Sequence, residues 1–166
     1  LSHIFQIREY EEGDSEKVFH FLYDILVNEF NISLDFNNLD SDLLDIRNHY
    51  NKDDGECFWI VELKNNSQII GTVALRKLKE SKFSDTSDFA ELKRMFLSKE
   101  YRGQGIGQQM LETALNFAKK VGYSKVFLYS SKDLTDSRKL YLKNGFGDIQ
   151  PYNNDNRADV FMIKNL

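Results

Sequence analysis

The chain has 166 residues, with 22 Lys and Arg against 26 Asp and Glu, and a formal net charge of −4. A hydrophobic fraction of 41% excludes an intrinsically disordered chain, and the mild acidity argues against a general nucleic-acid binder. No window approaches the roughly 18 consecutive apolar residues that cross a bilayer, so no membrane partner is expected.

Ile4 to Tyr10 alternates loosely and predicts a first strand. Gly13-Asp14-Ser15 offers a helix start, with Asp14 or Ser15 as the N-cap. Val18, Phe19, Leu22, Ile25, Leu26 and Phe30 follow at helical spacing. Leu43, Leu44 and Ile46 predict a second helix over 40–49. Cys57 to Leu63 reads as a strand, Asn65-Asn66 as a turn and Gln68 to Leu75 as the returning strand of a hairpin. Residues 79–88 form a polar loop, and Phe89 to Leu97 a further strand. A helix is predicted from Gly105 to Val121, with Gly122 as its C-terminal cap. A strand at 125–129, a helix at 135–144 and strands at 146–150 and 159–163 complete the chain. This order predicts one domain over 1–166, α+β or mixed α/β, with a mainly antiparallel sheet of six to seven strands, rather than a doubly wound fold.

Charge is segregated along the chain. Residues 1–56 hold 14 acidic and 4 basic side chains, whereas residues 57–166 hold 12 acidic and 18 basic. Either the acids sit on solvated helix faces, or the first part meets a cationic ligand and the second an anionic one. The single cysteine, Cys57, excludes an internal disulfide, reads as a core residue and fits a reducing compartment. No charged segment followed by an apolar one marks a signal peptide, so a cytoplasmic protein is expected. His3, His20 and His49 lack metal-ligand spacing, and no metal is expected.

The informative stretch is Tyr101-Arg102-Gly103-Gln104-Gly105-Ile106-Gly107, between a strand and a helix. Glycines at every second position allow positive φ and a close ligand approach. A helix start beyond them leaves backbone N–H groups unpaired at the positive end of the dipole. Together these predict an anion site suited to phosphate, with Arg102 adding charge at its rim. A P-loop needs Gly-Lys-Ser/Thr, which is absent, and G-x-G-x-x-G needs glycine where Gln108 stands. Without further support, a tight turn with no ligand fits as well.

Arg102-x-x-Gly105-x-Gly107 resembles the R/Q-x-x-G-x-G/A signature of the GNAT acyltransferase superfamily. Ala90 to Leu97 is similar to that family's fourth strand, and Ser137 to Phe146 to its A-R-x-L-Y-x-x-x-G-F helix. Leu134 stands where many members carry Asn, and Ser137 where Ala is common. The resemblance implies a GNAT fold with helices on both sheet faces and acetyl-CoA as acyl donor. It implies that the backbone of Arg102, Gly103, Gln104, Gly105, Ile106 and Gly107 receives the pyrophosphate. The pantetheine arm would pair with Met95, Phe96 and Leu97, and an N–H near Leu97 would polarise the thioester carbonyl. The reaction implied is direct attack by a primary amine of a small molecule, peptide or protein. Tyr141 matches the tyrosine that protonates the leaving thiolate, and Glu91 falls where some members carry a general base. From the residues alone, Tyr141 also fits a core-edge aromatic, and Glu91 a strand carboxylate paired with Lys93 or Arg94. Simple alternation puts Glu91, Lys93, Met95 and Leu97 on one face, and a bulge would break that parity. A non-catalytic acyl-CoA-sensing module is the alternative function, and a monomer or homodimer is expected.

Overall fold

The computed structural model describes residues 4–79 and 88–166, so most of the predicted 79–88 loop lies outside the described residues. The strands are β1 (Phe5–Glu9), β2 (Cys57–Leu63), β3 (Ile69–Lys77), β4 (Phe89–Leu97), β5 (Lys125–Ser130), β6 (Gly147–Asp148) and β7 (Val160–Asn165). They form one sheet in the order β1-β2-β3-β4-β5-β7-β6. Every neighbour pair is antiparallel except β4 and β5, which run parallel. The α-helices are α1 (Ser15–Tyr23), α2 (Ile46–His49), α3 (Ile106–Val121) and α4 (Thr135–Lys143). None of the described helices is long and apolar enough to cross a membrane.

Strand β2 shows why the sheet is covered twice. Cys57, Trp59, Val61 and Leu63 join one core, while Phe58 and Ile60 join another. The two-residue period sends alternate side chains to opposite faces. Met110, Leu111, Ala114, Leu115 and Ala118 of α3 cover the first face together with Tyr141 of α4. Their spacing by threes and fours makes one apolar stripe. Val18, Leu22 and Leu26 cover the second face with Leu43, Ile46 and Tyr50. Beside them, Tyr152 packs on Phe89, Phe127 and Phe161, so the segment after β6 closes the same face.

Two stretches differ from the expected helices. After α1 the backbone widens into a π-helical turn at Asp24–Glu29, closed by Phe30 N–H on the Ile25 carbonyl at 3.0 Å. The predicted helix over 40–49 breaks into a 3-10 turn, Ser41–Leu44, and the short α2. Asp45 stops it, because its carboxylate caps the new turn through Asn48 N (3.3 Å) and Nδ2 (2.7 Å). Asp14 does precede α1, but its carboxylate receives Arg8 at 2.7 and 2.8 Å. That pairing ties α1 to the sheet instead of capping the helix.

Candidate active site

Strands β4 and β5 pair only from Phe89 to Glu91, against Lys125 to Phe127. Further along, a cleft of about 250 Å³ opens between them, lined by Lys93 to Phe96 of β4 and Leu128 to Ser131 of β5 and beyond. The divergence has a local cause. Thr72 pairs with Phe96 and Ala74 with Lys93, so β4 holds one residue more than β3 over this span. The extra residue sits at Arg94, whose φ of +50° is unusual for a side-chain-bearing residue. Thr72, fully buried, donates its hydroxyl to the Arg94 carbonyl at 2.7 Å and pins the bulge.

The bulge corrects the simple alternation. Met95 and Leu97 pack with the α3-side core, whereas Phe96 packs with the α1-side core. Arg94 turns to Asp40 and Asp42 on that second face. Glu91 and Lys93 therefore do not share a face with Met95 and Leu97.

The glycine loop leads into α3 as expected. Gly103 and Gly105 have φ of +73° and +82°, and a Cβ on either would project into open space. Gly107 is helical, and its Cβ would meet only Leu140 at 3.5 Å, so positive φ belongs to two of the three glycines. Ile106 is buried and anchors the helix start, leaving the first-turn N–H groups of α3 at the open loop. The Gln104 amide donates to the Glu100 carbonyl at 2.9 Å. A bare backbone over open space beside a helix N-terminus fits the diphosphate of an acyl-CoA. The unpaired stretch of β4 fits its extended arm.

The charge that Arg102 brings to the loop is already paired. Its guanidinium forms a bidentate pair with Glu29 at 2.6 and 3.0 Å, and its Nε donates to the Leu97 carbonyl at 2.8 Å. It thus joins the glycine loop to the π-helical turn and to the end of β4.

Tyr141 lies in the cleft wall, 6% exposed, with its ring edge-on to Phe146 at 5.8 Å. Burial pushes its phenol well above the ordinary tyrosine range, so it stays protonated at neutral pH. Leu134 and Ser137 line the same cleft. Glu91 instead lines an adjoining cavity of about 760 Å³. Its Oε2 accepts from Arg76 at 3.1 and 3.2 Å, and its Oε1 accepts from the Tyr152 hydroxyl at 2.9 Å.

Lys93, Tyr129 and Asp155 line both spaces, and no motif marks Lys93 or Tyr129 as a site residue. Two adjacent cations, Lys93-Arg94, in an otherwise buried strand were the available signal. Burial, reinforced by Arg76 and Arg94, draws the Lys93 ammonium down to about 8 although Glu91 pulls upward. Leu26, Phe30 and Ile32 bring the π-helical turn and the coil after it to the cleft.

The segregated charges turn out to be partners. Asp40 and Asp42 meet Arg94, Asp40 also meets Arg157, Glu29 meets Arg102 and Glu56 meets Lys79. Four acids of the first part, Glu29, Asp40, Asp42 and Glu56, thus neutralise bases of the second, while Glu11, Glu16, Asp24, Asp45, Asp53 and Asp54 are exposed. Burial would raise the Asp42 carboxyl, but Arg94 and the Tyr50 hydroxyl outweigh it and hold it at about 2.

Comparison with known proteins agrees with this geometry. The model of the Acetyltransferase (GNAT) family matches residues 19–146. The chain belongs to the GNAT family. Mouse N-acetyltransferase 8F1 is 34% identical over 114 residues, covering 69% of this chain and 50% of that protein. Rat N-acetyltransferase 8B gives the same identity and coverage. The chain thus spans about half the length of these relatives. A GNAT acetyltransferase from Staphylococcus aureus Mu50 superimposes with a TM-score of 0.81 at 27% identity, over 97% of this chain and 98% of that one. The GNAT fold expected from the motifs is therefore present, with its mixed, mainly antiparallel sheet.

Proposed function

We propose that the protein transfers an acetyl group from acetyl-CoA directly to a primary amine of a small molecule, peptide or protein. The observation that carries this reading is the cleft at the β4–β5 divergence with a buried tyrosine in its wall, and the bare glycine loop that follows β4 supports it. Acetyl-CoA, when bound, supplies an acetyl group activated as a thioester. Arg102 to Gly107 would hold its diphosphate by backbone N–H groups, and Met95 to Leu97 would hold its arm on the free side of β4. A fixed N–H near Leu97 would stabilise charge developing on the carbonyl oxygen. Tyr141, kept protonated by burial, would give its proton to the departing sulfur. Glu91 would take the proton of the amine from the adjoining cavity. Three hydrogen bonds to its carboxylate leave about one lone-pair site for that purpose.

Acetyl-CoA at about 100 times its dissociation constant should stabilise the fold by roughly 2.7 kcal/mol, seen as a raised Tm. Gly105→Val, measured against its own unliganded Tm, should lose that shift. A β-branched residue at φ of +82° would be strained and would fill the loop. Absence of any shift at millimolar acetyl-CoA would remove the donor assignment.

A further inference from the structure

The charged side chains around the junction of the two cavities are not equally matched. Arg76 reaches Glu91 at 3.1 Å, and Arg94 reaches Asp40 at 3.1 Å and Asp42 at 2.9 Å through Nε. Arg157 reaches Asp40 at 2.8 Å and Asp155 at 3.2 Å. Lys93 is the exception. Among the described residues its one carboxylate contact is Glu91 Oε2 at 3.9 Å, and that oxygen already receives Arg76. Its Nζ donates to the Tyr129 hydroxyl and lies 4.5 Å from the centre of that ring. An ammonium carries three donors, so among the described residues two remain after the Tyr129 bond. Lys93 is 8% exposed, and what it faces is the junction between the donor cleft and the larger cavity.

We propose that Lys93 binds a carboxylate of the acceptor, so that the acceptor is an amino acid or a similar amine carrying a carboxylate close to the reacting nitrogen. This rests on the acetyl-transfer reading above. A buried ammonium with spare donors and a shared, distant counter-ion gains most from an incoming anion. A cationic group there would lie against Lys93, and the wall carboxylates, Asp42, Glu91 and Asp155, already have guanidinium partners. The carboxylate would also place the amine at the junction, beside the cleft that Tyr141 lines. Binding should favour the charged form of Lys93, which burial otherwise disfavours. Among the described residues, the charged and titratable groups that act on Lys93 or share its two spaces are Arg76, Glu91, Arg94, Asp42, Tyr129, Asp155, Asp40, Arg157, Tyr152, Tyr141, His49 and Lys79.

The test uses the whole chain with saturating acetyl-CoA and pairs of acceptors: each amino acid, including β- and γ-amino acids, against its carboxamide. Acetylated product is measured by mass spectrometry. Replacing the carboxylate by the amide should lower kcat/KM by about 10- to 100-fold, mainly through KM, as expected for a lost charged hydrogen bond. In Lys93→Met the acid and the amide should converge, and Lys93→Arg should restore part of the preference. Inhibition by the acceptor's deaminated acid should weaken as pH rises through about 8, where Lys93 loses its proton. If Lys93→Met does not fold, the acid–amide pairs on the wild type decide alone. Equal use of acids and amides, or a preference for cationic amines, overturns the assignment and leaves acetyl transfer standing. If no amine of any kind is acetylated, both fall together.

Discussion

Tyr141→Phe should lower kcat by roughly 10²–10⁴ and leave the affinity for acetyl-CoA nearly unchanged. The substitution keeps the ring that packs against Phe146 and removes only the hydroxyl. A packing role would therefore survive it, whereas proton donation to the departing thiolate would not. The effect belongs to kcat because the sulfur needs a proton only as the bond to carbon breaks. The comparison with Glu91 separates the two proton transfers. Glu91→Gln should slow the reaction at neutral pH, and raising the pH should recover part of the rate, because more of the amine is already free of its proton. Tyr141→Phe should show no such recovery. Full activity in Tyr141→Phe would assign the residue to the core and require another acid. An unchanged pH–rate profile in Glu91→Gln would move the base to water in the larger cavity.

Arg94→Met should destabilise the fold by about 3–5 kcal/mol in urea unfolding, because it strands buried carboxylates without their main cation. Arg94 bonds Asp42 and Asp40 and reaches the Leu39 carbonyl at 3.1 Å, and it does so from the bulge that opens the cleft. The strained backbone at Arg94 is held by these contacts and by Thr72. Adding Asp42→Asn should recover part of the loss by removing one stranded charge. Acid should expose the same network. The Asp42 carboxyl is held at about 2 in the fold against 3.8 for an ordinary aspartate, so its folded value is depressed. Its stabilisation, about 2 kcal/mol, is present above pH 4 and lost as pH falls towards 2. Arg94→Met should flatten this acid limb. A loss below 1 kcal/mol with an unchanged acid limb would mean that the network does not hold the bulge.

Most of the framework was legible because local signals agreed with one another. Cys57 to Leu63 and Phe89 to Leu97 are strands at the expected bounds, and Gly105 and Gly122 delimit α3. The glycine turn before α3 was legible because positive φ and a helix start leave a mark in glycine spacing. The face of each β4 residue was not. A bulge is set by pairing with β3 and by the pull on Arg94 of Asp40 and Asp42, which lie more than fifty residues away in sequence. The role of the acidic first part was hidden for the same reason. Composition records that the acids exist, while only the fold shows them bonded to Arg94, Arg157 and Arg102. Lys93 reads from the sequence as a partner for Glu91, and no local pattern shows that Arg76 takes the nearer place at that carboxylate while Lys93 bonds Tyr129. The break at Asp45 was also missed, since an aspartate within a helical pattern reads as surface until its carboxylate is seen capping Asn48.

The most direct measurement of acetyl transfer is a panel of amino acids, simple amines and peptides incubated with the protein and acetyl-CoA. Acetylated amine and free CoA thiol are quantified together by mass spectrometry. A transferase of the kind proposed releases one thiol for each acetylated amine, only when the acceptor is present, and loses both products in Tyr141→Phe. Acetyl-CoA that raises the Tm but yields neither acetylated amine nor thiol with any acceptor would contradict transfer and make the protein an acyl-CoA sensor.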